Sequence, residues 1–395
     1  MTLVTTNQPV PETSRRAVLT QLGLAGLAVS LASPAWGLPG TWMADDEEVL
    51  PLTDVPADFD FARRRRIDLR ELRSWITPND QFYSVQHYGP PPQLDAAMWK
   101  LEGMGLAGQP RTYTLEEIRK RPRTERTLFF ECSGNSVRTV HGSMGNAKWT
   151  GTGLRELLRE LKPAPDAKEV IFWAADAGEE TLRGNKYRMH FARSMPLEDA
   201  MESGAMLAYE MNGEPLPVAN GFPVRLIVPG WYGICNVKWV TRIEFSRSRF
   251  MGRFMGRDYV NIIGRDIGGQ IEYTETSVTR MNVKSVVARV TRTQPGGRTK
   301  VFGVAWTGEG TPLKVVEVRV DTGPWRPAKL ETHSNPYAWT FFTLDAEPLP
   351  PGQHTVVSRA TDQKGRQQPP EAELNERKKT NWENNGQFVR TIQVG

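Results

Sequence analysis

Beyond about residue 277 the chain alternates apolar and polar positions in short runs: SVVARVTR, TKVFGVAWTG, KVVEVRVDTG, YAWTFFTL, GQHTVVSRATD and QFVRTIQV. Successive side chains of a strand point to opposite faces, so this two-residue period, punctuated by turn residues, predicts an antiparallel sandwich and no helix. Between Trp99 and about Phe245 the period changes from run to run. TYTLEEIRKR (Thr112–Arg121) has helical spacing behind a capping threonine, and GLRELLREL (Gly153–Leu161) is an amphipathic helix. TLFFECSGN (Thr127–Asn135) is a buried strand running into a polar loop, while FPVRLIVPG and VKWVTRIEF, from Phe222 and Val237, are two further strands. The class is therefore α+β: a mixed α/β domain over residues 45–270 followed by an all-β sandwich over 271–395, with a surface lead-in from about Thr41 to Asp60.

The one long apolar run lies near the start. In ETSRRAVLTQLGLAGLAVSLASPAWG (Glu12–Gly37), Arg15 and Arg16 precede about sixteen mostly apolar residues, short of the roughly twenty needed to span a bilayer. Paired arginines, an apolar stretch and a small-residue end predict a twin-arginine export signal over residues 1–37, cleaved near Ala35 or Gly37. That route carries folded proteins, which points to a periplasmic enzyme whose cofactor is inserted before export. No membrane span is expected afterwards.

The net charge of +5 is spread along the chain, and the run Arg63–Arg66 reads as a solvated face, so nucleic-acid binding is not expected. Two cysteines, Cys132 and Cys235, and five histidines occur, without Cys-x-x-Cys or a histidine pair at helical spacing. Zinc, iron–sulfur clusters and covalent haem are thereby disfavoured. A disulfide between the two cysteines is one possibility; a thiol with a chemical role is the other. Cys132 ends an apolar strand beside Ser133, Gly134 and Asn135, a placement that suits a ligand, although a buried free cysteine is the commoner fate of such a residue.

ECSGN, KWTGTGLRELL from Lys148, LAYEMNGEPLPVANGFPVRLIVPGWYGICNVKWVTRIEF from Leu207 and GRDY (Gly256–Tyr259) follow one another in an order and spacing that resembles the sulfite oxidase / sulfite dehydrogenase family. GVAWTGEG (Gly303–Gly310) continues the resemblance into that family's C-terminal domain. The resemblance implies a molybdopterin-binding catalytic domain followed by an immunoglobulin-like dimerisation domain, with molybdenum and molybdopterin as cofactors. It makes Cys132 the thiolate on molybdenum, and soft thiolate suits a metal that cycles between high oxidation states. It assigns His87, Asp176, Arg225, Asn236, Val237 and Lys238 to cofactor binding, the cations meeting the pterin phosphate. Tyr259 is implied to stand beside the metal, with Trp149 lining the same pocket.

The sequence departs from the family where that family gathers arginines around its anionic substrate: Val85, Val137 and Thr311 occupy those places, and Asn220 replaces a frequent histidine. Arg138 is the nearest candidate cation, a catalytic residue if a one-residue shift places it in the pocket, and His141 is a second. The expected activity is oxidation of sulfite to sulfate in a homodimer, with electrons passed to a c-type cytochrome because no haem motif lies in this chain. The same cofactor acting on another sulfur compound, as a sulfane dehydrogenase or a sulfoxide reductase, is the alternative. A non-catalytic binding module exported in the folded state is the third reading.

Overall fold

A computed structural model describes residues 47–395 apart from 294–296 and 332; the expected export signal lies outside the described residues. One antiparallel sheet runs in the order Arg225–Ile227, Met206–Met211, Met144–Gly153, Arg123–Glu131, with Glu214–Pro215 added to the second strand. A second sheet runs Arg111–Thr114, Lys100–Gly105, Val240–Ser246, Glu169–Leu182, Asn185–Pro196, in which Lys100–Gly105 and Val240–Ser246 are parallel. Short helices pack on these sheets, and the expected capping threonine is present: Glu117 N donates to Thr114 Oγ1 at 3.2 Å, while Thr114 N donates to Glu117 Oε2 at 2.8 Å. The helix is shorter than its sequence run, Leu115–Arg119, because Arg111–Thr114 pairs as a strand and buries Tyr113 completely. In the helix Leu154–Glu160 the apolar positions Leu154, Leu157 and Leu158 face inward at the i, i+3, i+4 spacing.

The C-terminal third is a β-sandwich, as its alternation predicts. One sheet orders Glu47–Val49, Lys284–Thr293, Thr299–Trp306, Thr340–Ala346, Lys329–Leu330; the other orders Arg326–Pro327, Leu313–Val320, Gly352–Asp362, Val389–Val394. Val287, Val301 and Phe342 from the first meet Val316, Val356 and Ile392 from the second in a closed apolar core. The opposite face of the first sheet is buried as well. Val286, Phe302, Val304, Trp306 and Phe341 join the larger core of the preceding domain, so these strands are covered on both sides. Tyr337 O accepts from Phe129 N at 2.9 Å, pairing the otherwise open edge of Arg123–Glu131 with the sandwich.

Two features differ from the sequence reading. The lead-in is more than a surface segment: Glu47–Val49 pairs with Lys284–Thr293, and Leu50 and Leu52 are buried in the sandwich core. A helix, Glu371–Arg377, interrupts the β region; its seven residues bury no side chain, so no apolar stripe marks it in the sequence. The hairpin Val260–Ile267/Gln270–Ser277 crosses position 270, turning at Gly268 and Gly269 with φ of 64° and 87°, the left-handed backbone such a turn requires. Among the described residues no helix is long and apolar enough to cross a membrane.

Candidate active site

The strand Arg123–Glu131 delivers Cys132 into a loop held from within. Cys132 N donates to Ser143 O at 2.9 Å, and Asn135 N donates back to Cys132 O at 2.8 Å. The buried Asn135 amide bonds Glu131 Oε1, His141 O and Ser143 N at 3.0–3.2 Å. Cys132 and Cys235 are both free thiols. Cys235 is buried where Arg193 Nη2 donates to its Sγ at 3.2 Å, a packing position. Cys132 instead lines a cavity together with Tyr83, Val85, His87, Asp176, Asn220, Arg225, Lys238 and Tyr259. On one wall Gly233 lies so close to Tyr83 that a Cβ there would collide with the phenolic hydroxyl.

Two cations occupy the deep end. Arg225 donates from Nη1 to Asn220 O at 2.7 Å and from Nη2 to Asn236 O at 2.9 Å, and burial lowers its pKa to about 10. Its guanidinium lies 4.9 Å from the Trp149 ring centre and 5.5 Å from that of Phe130. Lys238 Nζ donates to Val85 O at 2.9 Å and Ala219 O at 3.0 Å; burial, with the charge of Arg225, lowers its pKa to about 7. Asp176 faces the same space, and burial raises its carboxyl to about 6. At the other end Tyr259 Oη and His87 Nε2 share a hydrogen bond of 2.7 Å. Burial first, then the charges of Lys238 and Arg253, push His87 down to about 4, so the imidazole is neutral at pH 7. Burial pushes the Tyr259 phenol up, so it keeps its proton.

These residues fit a molybdopterin-bound metal. Among the described residues no group of three or more His, Cys, Asp or Glu side chains could hold an ion, so a metal at Cys132 needs further ligands from an organic partner. Asn220 Oδ1, Asp176 Oδ1 and Arg225 Nε are buried along this cavity without a hydrogen-bond partner. A buried polar atom left unpaired costs about 1–3 kcal/mol, so three around one cavity mark a surface shaped for a polar guest. Acceptors on Asn220 and Asp176 suit the amino and ring N–H groups of a pterin. Arg225 and Lys238 supply the positive charge its phosphate needs.

Of the residues singled out in the sequence, Cys132, His87, Asp176, Asn220, Arg225, Lys238 and Tyr259 converge on this cavity, as does Asn236. The Asn236 side chain is already engaged, accepting from Val228 N at 2.7 Å and donating to Trp231 O and Tyr232 O, so it shapes the wall. Val237 packs in the apolar core instead. Trp149 is fully buried beneath the cavity, stacked on Phe130, and supports Arg225 from below. Arg138 is exposed in a short helical turn, Val137–Thr139, and does not line the cavity. His141 packs against Phe388 with ring centres 4.4 Å apart; burial holds it neutral, so it offers no cation. Thr311 accepts from Arg366, away from the cavity.

The run Arg63–Arg66, read as a solvated face, is exposed at Arg63 and Arg64 and half-buried at Arg65 and Arg66, beside the cavity. The charges of Arg64 and Arg66 both act to lower the pKa of the Cys132 thiol, against the upward push of burial, and Arg65 acts on Lys238. Arg64 O accepts from Ser84 N at 3.0 Å, which fastens the run beside the cavity-lining pair Ser84 and Val85. Arg64 and Arg65 have φ of 62° and 51°, and Arg66 Nε is buried without a partner. The sequence signal was the run itself. Trp382, which stacks on Tyr259 with ring centres 4.3 Å apart, carried no signal at all.

Comparison with known proteins agrees with this geometry. Residues 87–254 match the family model described as oxidoreductase molybdopterin binding domain, and residues 275–385 match the Mo-co oxidoreductase dimerisation domain. Sulfite oxidase of Gallus gallus is 30% identical over 321 residues, covering 75% of this chain and 68% of that protein. The mitochondrial sulfite oxidase of Macaca fascicularis is 31% identical, over 73% of this chain and 56% of that protein. That of Drosophila melanogaster is 32% identical, over 68% and 50%, so this chain spans about half the length of these two relatives. In fold, the chain is similar to the crystal structure of the sulfane dehydrogenase SoxCD from Paracoccus pantotrophus, with a TM-score of 0.70, 24% identity, and 93% and 95% of the two chains covered. With a thiol, a cavity lined by unpaired polar groups and a tyrosine–histidine pair brought together in one fold, the chain belongs to the sulfite oxidase family of molybdopterin-dependent oxidoreductases.

Proposed function

We propose that this protein oxidises sulfite to sulfate and hands the electrons to a separate c-type cytochrome in the periplasm. The observation that carries this reading is the convergence of Cys132, His87 and Tyr259 on one cavity, with the run Arg63–Arg66 fastened beside it by the bond from Ser84 N to Arg64 O at 3.0 Å. A doubly charged anion must lose part of its hydration on entering, and nearby cations offset that cost. Sulfite and water become sulfate, two protons and two electrons, and a c-type haem accepts one electron at a time. Molybdenum held by molybdopterin supplies, when bound, two-electron chemistry coupled to oxygen-atom transfer.

The chain's own groups supply the rest. Cys132 provides the thiolate, Arg225 and Lys238 neutralise the cofactor phosphate, and Asp176 and Asn220 accept from the pterin. The Tyr259 phenol, paired with neutral His87 Nε2, holds or passes a proton at the edge of the site. The sandwich half provides the contact of a homodimer, a reading supported by the dimerisation-domain match over residues 275–385.

A second reading, oxidation of a different sulfur species, is favoured by one specific feature: Val85 lines the cavity where an arginine is expected. Assay of the loaded enzyme with sulfite, thiosulfate and methionine sulfoxide, using a c-type cytochrome or a reduced dye, separates the two. Sulfite-dependent cytochrome reduction is the expected result. Turnover with thiosulfate but not sulfite would move the assignment to the second reading.

A further inference from the structure

Trp382 belongs to the stretch between the helix Glu371–Arg377 and the strand Val389–Val394, far along the chain from the cavity. Its indole nevertheless stacks on the Tyr259 ring, 4.3 Å between centres and 29° between planes. A Cβ built on Gly134 would sit 3.3 Å from Trp382 Cζ3, so the indole edge also covers the backbone two residues past Cys132. The chain on either side of Trp382 is fastened to the same two elements. Glu383 N donates to Ser133 O at 2.6 Å, and Lys284 Nζ donates to both Asn135 O at 3.3 Å and Asn384 O at 2.6 Å. Lys379 N donates to Ile262 O at 3.0 Å, and Thr380 Oγ1 donates to Asn261 Oδ1 at 2.9 Å, both in the strand that begins directly after Tyr259. The Glu383 carboxylate accepts from Thr279 N at 3.1 Å and from the Asn261 amide.

Tyr259 has φ of 60°, a backbone conformation that bulky L residues rarely adopt, so its neighbours must hold it there. On one side His87 meets its hydroxyl; on the other the indole of Trp382 meets its ring. We propose that Trp382 is the positioning residue of this site: it fixes the Tyr259 phenol against His87 and shields the Cys132 loop from solvent, so that the sandwich half completes the site. This rests on the reading of Cys132 and Tyr259 as parts of one molybdenum site. An aromatic pair of this geometry contributes beyond its buried area, and its loss frees both rings.

The test uses Trp382→Leu, which keeps apolar volume without the stack, and Trp382→Phe, which keeps the stack. In the cofactor-free protein, alkylation of Cys132 by iodoacetamide, with Cys132→Ser as the background for Cys235, should speed up about tenfold or more in Trp382→Leu as the loop opens more often, and stay near the parent rate in Trp382→Phe. In the loaded enzyme Trp382→Leu should lose about 10- to 100-fold in kcat with KM within about twofold, the pattern of a misplaced proton donor, and Trp382→Phe should recover most of it. Parent-like alkylation of Cys132 in Trp382→Leu, or unchanged kcat in that variant, would overturn the proposal. Faster alkylation in Trp382→Leu in a protein that turns over neither sulfite nor thiosulfate would support the shield while counting against the functional reading, so the two fail separately.

Discussion

Lys284 Nζ lies 2.7 Å from Glu131 Oε1, with both side chains buried to 1% exposure or less, directly beneath the residue that precedes Cys132. Trp306 Nε1 donates to the other carboxylate oxygen at 3.2 Å, and Asn135 Nδ2 donates to Oε1. The sandwich half thus reaches under the cysteine loop with a charge that has no solvent to fall back on. Removing one partner of a buried pair leaves the other uncompensated, which costs about 3–5 kcal/mol. Lys284→Met should lose stability of this order in urea unfolding and bind less molybdenum, and Lys284→Met/Glu131→Gln should recover part of the loss. A double variant no more stable than Lys284→Met would contradict this account of the pair.

Cys132→Ser should fold and lose turnover, because a hard oxygen replaces the soft thiolate. Cys235→Ala should keep turnover and lose about 1–3 kcal/mol, since its buried sulfur accepts from Arg193 and no part of it lines the cavity. Comparing metal content, sulfite turnover and urea midpoints of the two variants checks the division of labour.

Tyr259→Phe removes the hydroxyl bonded to His87 while keeping the ring stacked on Trp382. Turnover should fall about 10²–10⁴-fold, the usual contribution of a positioned proton donor, with molybdenum content unchanged. Steady-state kinetics alongside metal analysis reads both.

Arg64→Gln and Arg66→Gln, in the run fastened beside the cavity, remove charge that acts through solvent, so each should raise the KM for sulfite only about two- to fivefold, with less effect on kcat. Arg138→Gln, an exposed position outside the cavity, should leave both constants unchanged. The opposite ranking of KM changes would return the anion-binding role to Arg138.

Burial acts on Asp176 and Lys238 in opposite directions, and stability against pH follows in the cofactor-free protein. From about pH 4 to 6 the folded state holds a proton on Asp176 that the unfolded chain has released, so stability falls as pH rises. From about pH 7 to 10 the unfolded chain holds a proton on Lys238 that the folded state has lost, so stability rises with pH. Asp176→Asn should flatten the first slope and Lys238→Met the second in urea midpoints measured across the range.

What could be read from the sequence was local or carried by a continuous run. The sandwich strands, the Thr114 cap and the helix Leu154–Glu160 follow from side-chain periods that one segment displays by itself. The sequence motifs singled out Cys132, Arg225, Lys238, His87 and Tyr259, because each sits in a dense stretch whose order and spacing are distinctive. Packing decided the rest. Arg138 is close to Cys132 along the chain, but the turn Val137–Thr139 carries it to the surface, whereas the distant run Arg63–Arg66 lies beside the cavity because Arg64 O is tied to Ser84 N. Trp149 and Val237 lie in motif stretches yet pack in the core, Trp149 from the buried strand Met144–Gly153 and Val237 from the loop before Val240–Ser246. Lys284 and Trp382 sit among ordinary strand and loop residues, and no local pattern distinguishes them. They matter because one face of a sandwich sheet is buried against the catalytic half, and that contact between distant parts of the chain exists only in three dimensions.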